Sequence, residues 1–119
     1  MPPHDDPSPE SFLPLTAVVF EILLALAGGE LHGYEIMREV EHRTGGAVVL
    51  HPGTLYRALH RLLKADLVEE LDERPADDDE RRRYYALTRL GRDVAIAEAR
   101  RLASQVTAAR ARRLLKGAH

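Results

Sequence analysis

Apolar positions recur along this chain in several different rhythms, and each rhythm predicts an element. Between Leu15 and Ala27 almost every position is apolar, with Val18, Val19, Phe20, Ile22, Leu23, Leu24 and Leu26 leaving little room for a polar face. A helix apolar all round has to be covered on every side, and in so short a protein a second subunit is the expected cover. Gly28 and Gly29 end that helix. From Gly33 to Arg43 the pattern changes: Ile36, Met37 and Val40 are spaced to face a core, the outer face is charged, and Gly45 stands where a helix C-terminus favours glycine. His32 is placed to cap this second helix, and Tyr34 is expected to pack rather than to face solvent. After a short extended piece, Ala47–Leu50, Pro52 suits the first position of a third helix running to about Ala65. Leu55, Leu59 and Leu62 at i, i+4 and i+7 supply its buried stripe.

Beyond the third helix the period shortens. Leu67–Leu71 and Arg83–Leu87 alternate or cluster apolar residues on either side of a polar, proline-containing stretch, Asp72–Arg82, which reads as two strands and their loop. Strand alternation sends one of Tyr84 and Tyr85 inward and the other outward. Thr88 can then N-cap a final helix of about 25 residues. Within it Ala95, Ala99, Leu102, Val106 and Ala109 keep a 4-3-4-3 spacing, the mark of a coiled-coil-like seam. Together with Leu15, Val19 and Ile22 of the first helix, these residues are the candidate dimerisation surface. The proline-rich, acidic opening, Met1–Ser11, reads as a disordered tail. The expected class is mainly α with a small β-hairpin: a tail at 1–11, a winged helix-turn-helix at 12–88 and a long C-terminal dimerisation helix at 89–115.

A length of 119 residues allows one modest core. With Trp absent and Phe12, Phe20, Tyr34, Tyr56, Tyr84 and Tyr85 as the aromatic residues, that core must be mostly aliphatic. No cysteine occurs, which excludes disulfides, thiolate metal sites and cysteine nucleophiles. The acidic start is the opposite of a basic signal-peptide region, so a cytoplasmic location is expected. The longest apolar stretch, Leu13–Ala27, is interrupted by Glu21 and falls short of the ~20 residues a membrane span needs. Serine occurs only at Ser8, Ser11 and Ser104, and there is no nucleophile elbow, no phosphate loop and no H-E-x-x-H spacing. Neither an enzyme nor a metal or other cofactor is expected.

A net charge of −2 and a pI near 6.3 count against a nucleic-acid partner. What matters, however, is where positive charge sits. The segment His51–Lys64 holds Arg57, Arg61 and Lys64 and no acid, and Arg81, Arg82 and Arg83 form a second cluster. Three short helices and a hairpin let the third helix enter a major groove while the hairpin lies along the adjacent backbone. On its solvent face stand Gly53, Thr54, Arg57, Arg61 and Lys64, with Tyr56 and His60 beside them. Thr54 and Arg57, nearest the N-terminus, are the base-contact candidates. Gly53 allows close backbone approach, and the free amides of the first turn suit a phosphate oxygen. Tyr56, Arg61, Lys64 and the hairpin arginines Arg81, Arg82 and Arg83 would hold the duplex backbone.

At these residues the sequence resembles the PadR family of transcriptional regulators. The resemblance rests on Leu31-His32-Gly33-Tyr34-Glu35-Ile36, on Pro52-Gly53-Thr54-Leu55-Tyr56 followed by Leu59-His60-Arg61-Leu62, and on Arg83-Tyr84-Tyr85-Ala86-Leu87-Thr88 with Gly91-Arg92, in that order. It implies a dimeric winged-helix repressor of the short subfamily, double-stranded DNA with inverted-repeat operators as partner, and release by a small apolar effector or another signal. Three departures are visible. Asp66 stands where the family often has glycine, which predicts a slightly strained turn. Asp77, Asp78, Asp79 and Glu80 precede the hairpin arginines, so the tip is expected to point away from DNA. The aromatic pair that sandwiches drugs in some short-subfamily members would need a tryptophan. The charge balance also leaves open a winged-helix protein-interaction module without DNA binding, and the apolar dimer cavity leaves open a small-molecule carrier.

Overall fold

Three of the four described α-helices open on a side-chain cap. In the computed structural model, which describes residues 7–71 and 83–116, the order is a 3-10 turn at Pro9–Phe12, α1 (Ala17–Ala27), β1 (Leu31–His32), α2 (Gly33–Arg43), α3 (Pro52–Lys64), β2 (Val68–Leu71), β3 (Tyr84–Leu87) and α4 (Arg89–Ala111). The Thr16 hydroxyl accepts from the Val19 N–H at 3.2 Å and the Thr88 hydroxyl from the Gly91 N–H at 2.9 Å, opening α1 and α4. His32 opens α2 in the reciprocal manner: its Nδ1 accepts from the Glu35 N–H at 3.2 Å, and Glu35 Oε1 accepts from the His32 N–H at 3.0 Å. Such caps contribute about 1 kcal/mol each. At the other end of α2, Gly45 takes φ +62°, the left-handed conformation that closes a helix at least cost to glycine.

The periodic leucines of α3, with Ala58, face a core shared with Ile22, Leu23 and Leu26 of α1, Ile36 and Val40 of α2, Val68, Tyr85 and Val94. The sheet has the order β1-β3-β2 and is antiparallel throughout, with Leu31 opposite Tyr85, Val68 opposite Leu87 and Leu71 opposite Tyr84. Three helices and a β2-β3 hairpin with α3 in the middle make the winged helix-turn-helix, and α4 runs on from it. β1 has no counterpart in the sequence reading, because two residues are too few to display a period.

Several expectations need correction. The end of the tail predicted for 1–11 is folded: Pro9–Phe12 forms the 3-10 turn and packs against α4, with Phe12 and Leu13 half-buried against the core; residues 1–6 lie outside the described residues. α1 is covered by α2, α4 and β3 of its own chain. Ile22, assigned to the dimer surface, is accordingly 0 % exposed and belongs to the chain's own core, as does Ala95. The last helix ends at Ala111 rather than 115, since Arg113 turns to φ +63° and the Leu114 N–H donates back to the Ala109 carbonyl. Arg81, Arg82 and the acids at 77–80 lie outside the described residues.

Asp66 does adopt the left-handed conformation, at φ +64°. It closes α3 like a C-terminal glycine: the Asp66 N–H donates to the Leu63 carbonyl and the Leu67 N–H to the Leu62 carbonyl. An L-residue with a Cβ is disfavoured there. Asp66→Gly is therefore expected to raise unfolding stability by about 0.5–1 kcal/mol, the relief of strain exceeding the extra entropy of a glycine in the unfolded chain. Urea denaturation measures this, and an unchanged or lower midpoint would show that the turn carries no strain.

Candidate nucleic-acid interface

With Leu55, Ala58, Leu59 and Leu62 turned inward, helical geometry leaves α3 one outward face. Gly53, Tyr56, Arg57, His60, Arg61 and Lys64 are exposed on it and Thr54 is half-buried. Arg57, Arg61 and Lys64 form no ion pair with any described residue. Among the described residues their charge is thus uncompensated, in contrast to that of Arg43, which is held between Glu21 at 2.6 Å and Glu39 at 2.9 Å. That clamp pins the end of α2 to α1, and its hydrogen bonds to Glu39 and Glu21 push the Arg43 guanidinium further toward the charged form.

The start of α3 has no side-chain cap. Pro52 brings no N–H, and the helical ladder begins with the Leu55 N–H donating to the His51 carbonyl at 2.9 Å. The amides of Gly53 and Thr54 consequently face outward without an acceptor among the described residues, at the positive end of the helix dipole. A Cβ at Gly53 would meet Arg57 Nη1 at 3.3 Å, so the guanidinium lies back along this same first turn. One corner of α3 therefore combines half-buried Thr54, exposed Arg57 and two amides without an acceptor among the described residues.

Tyr56 links this corner to α2. Its hydroxyl lies where a Cβ of Gly33 would be, so only glycine fits at the start of α2 without displacing the phenol. Tyr34, expected to pack, is instead 61 % exposed. Its ring stacks on His32 with centroids 6.5 Å apart, and the Arg38 guanidinium sits 5.6 Å from its centroid. The sequence reading missed Tyr34 and Arg38 as surface groups; their i, i+4 spacing on the side of α2 away from Ile36 and Val40 was the available signal. Of the tyrosine pair in β3, Tyr85 is buried, its hydroxyl pushed up in pKa by desolvation and by Glu70, while Tyr84 meets His32 edge-on at 5.4 Å. In the hairpin Arg83 is exposed and pairs with Glu70 at 3.2 Å, an exposed contact that a phosphate could replace at little cost.

The dimer candidates separate into two groups. Leu15 and Val19 are half-buried and so is Ala109, whereas Ala99, Leu102 and Val106 are exposed. Ile96, one position along from Ala95, is exposed as well, as is Leu24 of α1 at 38 %. Ala95 is taken up by the chain's own core, so the exposed part of the predicted 4-3-4-3 spacing begins at Ala99. Between Ala95 and Ala99 lies a group the sequence reading did not select. Glu98 is 2 % exposed and accepts from the Leu15 N–H at 3.0 Å and from Arg101 Nε at 2.6 Å. The Arg101 hydrogen bond, helped by the Leu15 amide, outweighs burial and holds this carboxyl below the usual range. Its sequence signal was an acid on the apolar face with an arginine three residues on.

No helix among the described residues is long and apolar enough to cross a membrane, and no group of three or more His, Cys, Asp or Glu side chains among them converges as a metal would require.

Residues 22–97 match a family model described as the transcriptional regulator PadR-like family. Over 82 residues the chain is 42 % identical to an uncharacterized 37.1 kDa protein in transposon TN4556 of Streptomyces fradiae, a match covering 69 % of this chain and 22 % of that protein. The chain spans less than two thirds of the length of the curated relatives it matches. Among solved structures, a PadR family transcription regulator from hypervirulent Clostridium difficile R20291 superposes with a TM-score of 0.71 at 25 % identity, over 84 % of this chain and all of that one. Bacillus subtilis PadR in complex with operator DNA shares the fold with a TM-score of 0.62 at 21 % identity, over 71 % of this chain and 47 % of that one.

Proposed function

As this chain belongs to the PadR-like family of transcriptional regulators, we propose that it is a repressor that binds an inverted-repeat operator as a homodimer, with α3 in the major groove. The observation that carries this is the outer face of α3: three cations that pair with no acid among the described residues, an uncapped first turn and no acid between His51 and Lys64. That a solved protein of the same fold is complexed with operator DNA supports it.

In this reading Thr54 and Arg57 read base edges, an arginine being suited to bidentate contact with guanine. The Gly53 and Thr54 amides take a phosphate oxygen, and Tyr56, His60, Arg61 and Lys64 hold the flanking backbone. Arg83, with Arg81 and Arg82, serves the backbone beside the hairpin. Tyr34 and Arg38, at the start of α2 where the first helix of such a motif crosses the backbone, add to that grip. Two copies joined through α4 would place their third helices roughly 34 Å apart, one helical turn of DNA. A small apolar effector would be held between the two copies, since the groove along α2 carries the charged groups of Glu35, Arg38, Glu39 and Glu41 on its lining. DNA as partner places the protein in the cytoplasm and calls for no catalytic group.

Arg57→Ala and Lys64→Ala separate base reading from backbone holding. Arg57→Ala is expected to cost about 1–3 kcal/mol on the operator and little on random duplex, relaxing sequence preference. Lys64→Ala is expected to weaken both alike and to reduce the slope of log affinity against log salt by about 1. Titrations at several salt concentrations check this, and equal losses on both duplexes for both variants would refute the division of labour. A wild-type protein that protects no sequence even at low salt would favour the protein-interaction reading.

A further inference from the structure

Glu98 is the one carboxylate buried among the described residues, and it lies at a mechanically special point. The first half of α4 is bound to its own chain. Gly91 abuts the Leu67 carbonyl, Val94 and Ala95 enter the core, and Glu98 bonds to the Leu15 amide. Past Arg101 no residue of α4 is buried, so Leu102–Ala111 projects as a free rod about 15 Å long. Glu98 is therefore the last attachment before the rod departs. Leu15 directly precedes the Thr16 cap of α1, and Arg101 grips both carboxylate oxygens, at 2.6 and 3.1 Å, from one turn further along. Stability alone does not call for an ion here, since well-packed apolar residues in place of a buried ion pair are commonly as stable or more so. What an apolar contact lacks is direction: the Arg101 guanidinium, on the same helix, orients the Glu98 carboxylate, and the carboxylate's hydrogen bond from the Leu15 amide then ties α4 at a defined angle to the start of α1.

We propose that Glu98 is a positioning residue for operator recognition, its bonds to the Leu15 amide and Arg101 setting the angle at which α4 leaves the winged domain and hence the separation of the two third helices in the homodimer. The proposal rests on the homodimeric operator-binding reading above. A tilt of about 10° acting over a lever of about 20 Å displaces α3 by about 3.5 Å, close to the rise of one base pair. Loss of the latch is thus read out as tolerance of half-site spacing.

The test uses the full-length protein and the inverted repeat that the wild-type protein selects from a pool of randomised duplexes, rebuilt with the half-sites one or two base pairs closer or farther apart. Glu98→Gln keeps the volume and an acceptor for Leu15 but turns an amide donor group toward the Arg101 donors. We expect wild-type protein to prefer one spacing by at least tenfold, and Glu98→Gln to lose most of that preference or to move its optimum by a base pair, with affinity for random duplex unchanged. Arg101→Gln, on a half-buried side chain, should broaden the preference in the same direction even where Glu98→Gln does not fold. A uniform loss across all spacings, or a preference as sharp as wild type in both variants, overturns the proposal. Wild-type protein that distinguishes no spacing overturns the operator reading with it, so the two failures are told apart by the wild-type series.

Discussion

A protein carrying Leu102→Asp and Val106→Asp is expected to sediment as a monomer and to bind the inverted repeat about 10²–10⁴-fold more weakly than wild type, the factor lost when two linked half-site contacts become independent. Leu102 is 36 % and Val106 37 % exposed within the chain, on the part of α4 that projects beyond the core. In the isolated chain two carboxylates there would reach water and would enter no buried site. Brought against a second copy they would be desolvated without partners, a cost of several kcal/mol for each ion. The double substitution thus acts on association and leaves the fold intact. Analytical ultracentrifugation with DNA titration reports both effects, and circular dichroism checks the helices. A variant that remains dimeric would exclude this stretch of α4 as the interface. A monomeric variant with undiminished operator affinity would show that one copy suffices.

Gly91→Ala is expected to destabilise the fold by about 3 kcal/mol, the upper range for overpacking a closed site, and to lower Tm by roughly 10 °C or more. Helix propensity by itself predicts the opposite, because alanine is favoured over glycine inside a helix by about 1 kcal/mol. Tertiary contact decides the sign. A Cβ at Gly91 would overlap the carbonyl oxygen of Leu67, and since the clash is with backbone no side chain can rotate away. The same carbonyl accepts from the Thr88 N–H at 3.1 Å, and the Thr88 hydroxyl donates to the Asp66 carbonyl at 2.6 Å, so the end of α3 and the beginning of α4 are joined. Gly28→Ala serves as control, its Cβ meeting only the Ala25 carbonyl at an ordinary 3.7 Å. Equal denaturation midpoints for the two variants would show that α4 does not approach the Leu67 carbonyl as closely as described.

Local chemistry made much of this protein readable from its residues. The His32 cap, Pro52 at the head of α3, Thr88 at the head of α4 and the leucines at 55, 59 and 62 each act within one or two turns, so their consequences can be worked out without knowing what lies opposite. The same reasoning placed the cationic face of α3, since burying the leucine stripe exposes the other side whatever covers it. Ala95 and Ile22 show where it stopped. An apolar residue on a helix must be covered, but periodicity is silent on whether the cover is the same chain or another, and here α1, α4 and β3 provide it. Tyr34 shows the converse, an aromatic side chain left mostly exposed above His32.

The order of helices and strands, the caps that bound them and the cation-bearing side of α3 are determined by neighbours within a few positions of one another, where geometry is dictated by the backbone. Only the tertiary structure decided that Tyr56 meets Gly33, that Gly91 meets the Leu67 carbonyl and that Glu98 meets the Leu15 amide across 83 positions of chain. Those contacts depend on how the helices are laid against one another, and a burial pattern read along one element carries no information about the element facing it.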